Sequence, residues 1–265
     1  MKNGVRHFLL ALQFFTRVPV TGPLAEWVGF SPQMLRASAA HLPGIGWLAG
    51  CVAALVFAGV AMGLPGVGGA LAAAVLSTVA TVMLTGAFHE DGLADVADGL
   101  GGSASRERAL EIMKDSRIGA FGTVALVLAL GLKCALLAVL AGRGLETVAV
   151  AIVGAHVLSR LMPLFLIRWL PYVGDSGASK AKPLADAISG GALAIAVVWT
   201  VPAVALLLHV HGAVNVGAAV LAAALAAGWM ARLFLRRLQG FTGDGLGATQ
   251  QVCELAIYLA LAWHA

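Results

Sequence analysis

The chain has 265 residues, of which 60% are hydrophobic and 11% charged, with a formal net charge of +4; its mean hydropathy is +0.92. Soluble domains carry charge on roughly a quarter of their residues, so a soluble globular fold is excluded, no nucleic-acid partner is indicated, and a lipid bilayer is the expected solvent for most of the surface. The 33 glycines suit transmembrane helices packed backbone to backbone. Cys51, Cys134 and Cys253, each in an apolar stretch, suggest neither a disulfide framework nor a zinc site.

At the N-terminus Val5, Phe8, Leu9, Leu12 and Phe15 share one helical face while Arg6, Gln13 and Arg17 share the other. This predicts an amphipathic helix lying in the membrane interface and ended by Pro19. A cleaved signal peptide fits less well, because its apolar run would be short and interrupted by Gln13 and Arg17. Apolar segments long enough to cross a hydrocarbon core of about 30 Å follow near 42–63, 68–88, 119–141, 147–168, 190–210 and 213–234, with a shorter seventh near 246–263. The expectation is an all-α, polytopic membrane helical bundle forming a single domain over 1–265, with about seven transmembrane helices besides the interfacial one.

Basic residues cluster before the first span (Lys2, Arg6, Arg17, Arg36) and after the second (Arg106, Arg108, Lys114, Arg117), fourth (Arg168, Lys180, Lys182) and sixth (Arg232, Arg236, Arg237), whereas the alternate loops hold only Arg143. The positive-inside rule therefore puts the N-terminus and those loops in the cytoplasm. Every acid except Glu146 lies on or near the same side.

Charge is concentrated just after the second span. Four of the chain's thirteen acids fall within the nine positions from Glu90 to Asp98, in His89-Glu90-Asp91-Gly92-Leu93-Ala94-Asp95-Val96-Ala97-Asp98-Gly99. If the helix of the second span continues through them, Asp91, Asp95 and Asp98 at i, i+4 and i+7 project from one face. Crowded carboxylates beside a bilayer imply a compensating cation, and hard oxygen ligands suit Mg²⁺ held jointly with substrate phosphates. A metal and pyrophosphate site is the reading, with Glu90 as a further ligand or a partner behind the ligands, and His89 or an aspartate as general base. Further on, Lys114, Asp115, Ser116 and Arg117 form a polar knot in which the two cations are placed to hold phosphate oxygens.

Lys133 and Arg160 lie inside the third and fourth spans, where charge is costly and normally paired; Arg160 is a candidate for an acid of the cluster or a substrate phosphate. Asp175 to Lys180 reads as a mobile cover over a large substrate. Near the end, Thr242-Gly243-Asp244-Gly245-Leu246-Gly247-Ala248-Thr249-Gln250 brings glycine amides, Gly243 among them, to an anion and Asp244 to a metal or a hydroxyl.

The acidic stretch, Ile112-Met113-Lys114-Asp115-Ser116-Arg117-x-Gly119, the early Phe14-Phe15-Thr16-Arg17-x-Pro19 and the late Thr242-Gly243-Asp244-x-Leu246-Gly247-Ala248 together resemble the cobalamin synthase (adenosylcobinamide-GDP ribazoletransferase) family, over about residues 8 to 256. The resemblance implies a Mg²⁺-dependent late step of cobalamin biosynthesis: adenosylcobinamide-GDP and α-ribazole, or its 5′-phosphate, are joined with release of GMP. The expected setting is the bacterial inner membrane, multi-pass, with N-terminus and active site toward the cytoplasm; the inward-facing charge suggests an assembly there, as a homo-oligomer or with membrane-associated corrinoid-assembly enzymes. CDP-alcohol phosphotransferases differ in carrying Asp-Gly-x-x-Ala-Arg where this chain has Asp91-Gly92-Leu93-Ala94-Asp95. Membrane prenyltransferases commonly have two comparable acidic motifs, and transporters place their acids at mid-membrane.

Overall fold

The computed structural model describes residues 2–174 and 187–263; the Asp175 to Lys180 segment and Lys182 lie outside them. Every element among the described residues is helical, in the order α1 (Lys2–Phe15), α2 (Gly22–Val28), α3 (Pro32–Ser38), a 3₁₀ turn (Ala39–His41), α4 (Leu42–Gly63), α5 (Val67–Thr85), α6 (Phe88–Gly102), α7 (Arg106–Ile112), α8 (Ala120–Ala141), α9 (Leu145–Trp169), α10 (Gly190–Arg237) and α11 (Gly243–Trp263). One isolated bridge, Tyr172 to Phe241, joins the chain after α9 to the chain before α11.

Among the described residues five helices are long and apolar enough to cross a membrane: Pro32–Gly63, Val67–Thr85, Ala120–Ala141, Leu145–Trp169 and Gly190–Arg237. The last has 48 residues and is broken at Gly212, with φ 77° and ψ 163°. Its arms run in opposite directions. Trp199 hydrogen-bonds His41 beside α4, His211 lies against Thr147 at the start of α9, and Arg237 returns to the end of α6. The break therefore makes two spans where the apolar run near 190–234 predicted two. The 21-residue α11 fills the bundle as a further long helix, less apolar because it carries Gln250, Gln251 and Glu254 inward.

Large apolar side chains such as Leu55, Val79, Val127, Val201 and Leu225 are exposed, as a lipid solvent requires, while small residues face inward. On α4 a Cβ at Gly46 would meet the His156 carbonyl oxygen at 2.5 Å, and one at Gly50 would meet Val153 Cα at 2.8 Å. Two glycines one turn apart thus let α4 and α9 touch through their backbones, which maximises dispersion where lipid removes the hydrophobic drive between helices. The predicted amphipathic α1 is present, ending at Phe15 instead of running to Pro19. Its buried positions are Leu10, Ala11 and Phe15, whereas Val5 is exposed. Arg6 Nε donates to the Val28 carbonyl at 2.9 Å, so α1 is tied to α2 and to the bundle.

Candidate active site

The acidic residues do not continue the preceding span. Helix α5 ends at Thr85, and Gly86 (φ 68°) and Ala87 (φ 60°) are both left-handed before α6 begins at Phe88. Such a conformation costs an L-residue about 1–2 kcal/mol, and two in succession end one helix and re-aim the next. The early block holds this turn. Arg17 N–H donates to the Leu84 carbonyl at 2.7 Å, the Arg17 guanidinium lies where a Cβ on Gly86 would be, and the Phe14 and Phe15 rings meet Phe88 edge-on at 5.8 and 5.6 Å.

On α6 the i, i+4, i+7 spacing survives, and its three aspartates differ in environment: Asp91 exposed, Asp95 half-buried, Asp98 buried. Asp98 accepts from the Gly119 amide at 2.7 Å and the Gly122 amide at 2.8 Å. It thereby caps the N-terminus of α8 from another helix, where orphan amides and the helix dipole favour an anion. A Cβ at Gly119 or Gly122 would run into that carboxylate, which gives a physical reason for glycine at Gly119 in the Lys114–Gly119 block. Across the groove α11 starts with Gly245 N–H donating to Thr242 Oγ1 at 3.1 Å. Its first turn carries Gly243 and Asp244 against α6: a Cβ on Gly92 would meet the Asp244 carbonyl oxygen at 2.6 Å.

Asp91, Asp95, Asp98 and Asp244 thus share one electrostatic neighbourhood. Burial first, then Asp244, Asp91 and Asp98, push the Asp95 carboxyl up to about 7, and burial and Asp91 push Asp244 up to about 6 against the pull of a backbone hydrogen bond. Among the described residues no group of three or more His, Cys, Asp or Glu side chains is close enough to hold a metal by itself. The donor set nonetheless fits a hard divalent cation that takes one or two carboxylates and completes its shell with water and phosphate. Asp91, Asp95 and Asp244 are the candidates, because Asp98 already uses both oxygens on α8.

Next to the acid helix lies an open cleft of about 430 Å³ lined by Asp98, Gly102, Arg108, Glu111, Ile112, Asp115, Arg117, Gly119 and Phe121. Asp115 turns Arg117 into place: Oδ1 accepts from the Arg117 amide at 3.1 Å and from Nε at 2.9 Å, and Oδ2 accepts from Nη2 at 2.6 Å. These bonds hold the Asp115 carboxyl down at about 2. The predicted polar knot is therefore brought beside the acid helix, with Lys114 exposed at its edge.

Three predicted site residues face elsewhere, and one of them is Glu90, 7% exposed, which accepts from Gln251 behind the acid helix. His89 is 3% exposed and lines an apolar cavity with Phe14, Phe15, Phe88, Pro163 and Leu246, and burial holds its imidazole well below the ordinary histidine range. It stands on the opposite side of α6 from the aspartates, since residues two apart on a helix do not share a face. Arg160 is 2% exposed and donates through Nη1 to His156 Nδ1 at 2.9 Å and to the His156 carbonyl at 3.0 Å, inside the bundle and away from the cleft.

Behind the acid helix is a buried polar network absent from the sequence reading as a unit. Lys133 of α8 pairs with Glu254 of α11 at 2.7 Å, and His156 Nε2 stands 3.7 Å from the same carboxylate. Gln250 Nε2 donates to Glu254 at 2.7 Å and to Ser159 Oγ at 2.9 Å. Gln251 Nε2 donates to Gln250 Oε1 at 3.0 Å and to Glu90 Oε1 at 3.1 Å. Its sequence signal is ionisable residues inside apolar spans; their mutual distances come only with the fold.

Fold and site together define a polytopic all-α membrane protein that gathers carboxylates, a cleft with two arginines and a glycine-flanked helix start at one end of its bundle. The family model described as cobalamin-5-phosphate synthase matches residues 7–262, and the chain belongs to that family. Similar proteins named adenosylcobinamide-GDP ribazoletransferase include one from Albidiferax ferrireducens, 56% identical over 99% of each chain. Another, from Polaromonas naphthalenivorans, is 58% identical over 99% of each, and one from Shewanella amazonensis is 44% identical over 98% of this chain and 96% of its own. No solved structure matches the chain.

Proposed function

We propose that the chain is an adenosylcobinamide-GDP ribazoletransferase, joining the adenosylcobinamide phosphate moiety to α-ribazole or its 5′-phosphate and releasing GMP. Family membership over residues 7–262 is the observation that carries the reading; the acid groove and the neighbouring cleft supply matching chemistry. In the transfer a ribose hydroxyl oxygen attacks the cobinamide-linked phosphorus. One P–O bond forms, the bond to the GMP oxygen breaks, and the hydroxyl proton passes to a base.

Such transfers depend on positioning and on neutralising charge at the phosphoryl oxygens. A bound Mg²⁺ would supply that neutralisation, held by Asp91 and Asp95 of α6 and Asp244 of α11. Arg117, oriented by Asp115, and Lys114 steady the phosphates, with Gly243 at the first turn of α11 leaving room for the approach of an anion. The proton passes to a carboxylate of the acid face, because His89 points into the phenylalanine cavity. The arginines gathered at this end of the bundle support a cytoplasmic orientation in the inner membrane under the positive-inside rule. The test is GMP release by purified protein in detergent. It should need both corrinoid and nucleoside substrates and a divalent cation, and fall at least ~100-fold in Asp95→Asn. Release of GMP without the nucleoside substrate would overturn the transferase reading.

A further inference from the structure

Glu90 belongs by sequence to the acidic run and by position to the interior. It is 7% exposed, whereas its neighbour Asp91 is exposed, and among the described residues its hydrogen-bond partner is the Gln251 amide at 3.1 Å. Its second oxygen is buried with no hydrogen-bond partner. On the far side of Gln251 and Gln250 lie Glu254, 1% exposed, Lys133, 3% exposed, and Arg160, 2% exposed. Lys133 and Arg160 sit in the middle of spanning helices, where an uncompensated charge is costly. A chain of hydrogen bonds runs from Glu90 through Gln251 and Gln250 to Glu254, which pairs with Lys133 at 2.7 Å. Behind the acid helix two buried cations therefore share a network with two buried acids, of which Glu90 is the second, while Asp98, the other buried acid, is held apart by the Gly119 and Gly122 amides. Without Glu90 that network would hold one positive charge too many.

We propose that Glu90 is a positioning residue, the fourth member of a charge-balanced quartet with Glu254, Lys133 and Arg160 that fixes α6 in register against α11 and takes no part in ligating the cation. The geometry supports this over a ligand role. The side chain that Glu90 reaches is on α11 behind the acid face, and the helix turn between Glu90 and Asp91 separates the two carboxylates by about 100°. Burial and hydrogen bonding make the quartet a stiff support for Asp91 and Asp95, as ligand shells require.

The proposal rests on α6 being the catalytic acid helix, and its test has one arm that needs no activity. In Glu90→Gln the amide oxygen still accepts from Gln251 while the charge is lost. The thermal unfolding midpoint in detergent should fall by roughly 5 °C or more, kcat should fall, and the Mg²⁺ concentration for half-activation should stay within about twofold. Adding Lys133→Met removes the surplus cation, so the double variant should recover most of the midpoint lost in Glu90→Gln, although Lys133→Met alone is also less stable. Additive losses, or a double variant that does not fold, would overturn the charge balance. A half-activating Mg²⁺ concentration raised about tenfold or more in Glu90→Gln would make Glu90 a ligand instead. If the wild type releases no GMP, the functional reading fails while the midpoints still decide the quartet.

Discussion

Asp98 joins two helices through the Gly119 and Gly122 amides, so its substitution acts on stability before chemistry. Asp98→Asn keeps one acceptor and turns an NH₂ toward the other amide; loss of a helix cap costs about 0.5–2 kcal/mol, read as a lower unfolding midpoint. Asp91→Asn, at an exposed position, should leave the midpoint unchanged and still depress GMP release. Asp115 and Arg117 allow a pH test. The carboxyl is depressed from 3.8 to about 2 by bonds from Arg117, so the pair is fully formed above the unfolded value and is lost only as pH falls toward 2. The ratio of KM for the GDP-bearing substrate between Asp115→Asn and wild type should therefore be constant from about pH 6 to about pH 9. A ratio that changed across that window would mean another group sets the arginine's position.

At the level of elements, two glycines at positive φ turn the chain, one beside the site and one at the opposite end of the bundle. Gly86 turns the chain out of α5, and Gly212 folds the 48-residue helix back on itself. A Cβ at Gly212 meets nothing within 4 Å, so Gly212→Ala isolates the backbone cost, about 1–2 kcal/mol. Gly86→Ala adds a collision with the Arg17 guanidinium and should lower both midpoint and activity further. The spans themselves were legible, because apolar runs of that length have few alternatives in lipid. The break at Gly86–Ala87 was not, since Thr85-Gly86-Ala87-Phe88 carries no proline and a glycine alone is tolerated within a helix. The aspartate face was legible from spacing, yet the capping role of Asp98 was hidden: it depends on α8 arriving at the end of α6. His89 was read toward the site by adjacency in sequence, and helical rotation turns it into the phenylalanine cavity.

The whole molecule follows from a bilayer solvent on one side and a polar interior on the other. Much of its exterior is Leu, Val and Met and its helices meet through Gly and Ala; apart from Arg143 and Glu146 in the opposite loop, the charges of its described residues lie inside or toward the acid end. These layers depend on one another, because α9 carries Arg160 and His156 on the inside while presenting His156 and Val153 backbone to Gly46 and Gly50 of α4. Gly50→Ala therefore pushes on a backbone 2.8 Å away that cannot yield as a flexible side chain would, and overpacking of this kind costs about 1–3 kcal/mol. The displaced α9 would disturb the Arg160, His156 and Glu254 network, so loss of activity should accompany loss of stability even though Gly50 is on α4 and does not line the cleft. Leu55→Ala on the same helix, at a side chain 73% exposed, removes a lipid contact and no protein contact of consequence. Thermal inactivation of GMP release in detergent should separate the two variants: a clear drop for Gly50→Ala, and a midpoint within about 1 °C of wild type for Leu55→Ala. Equal losses in both would show that bundle packing is not transmitted to the acid helix through α9.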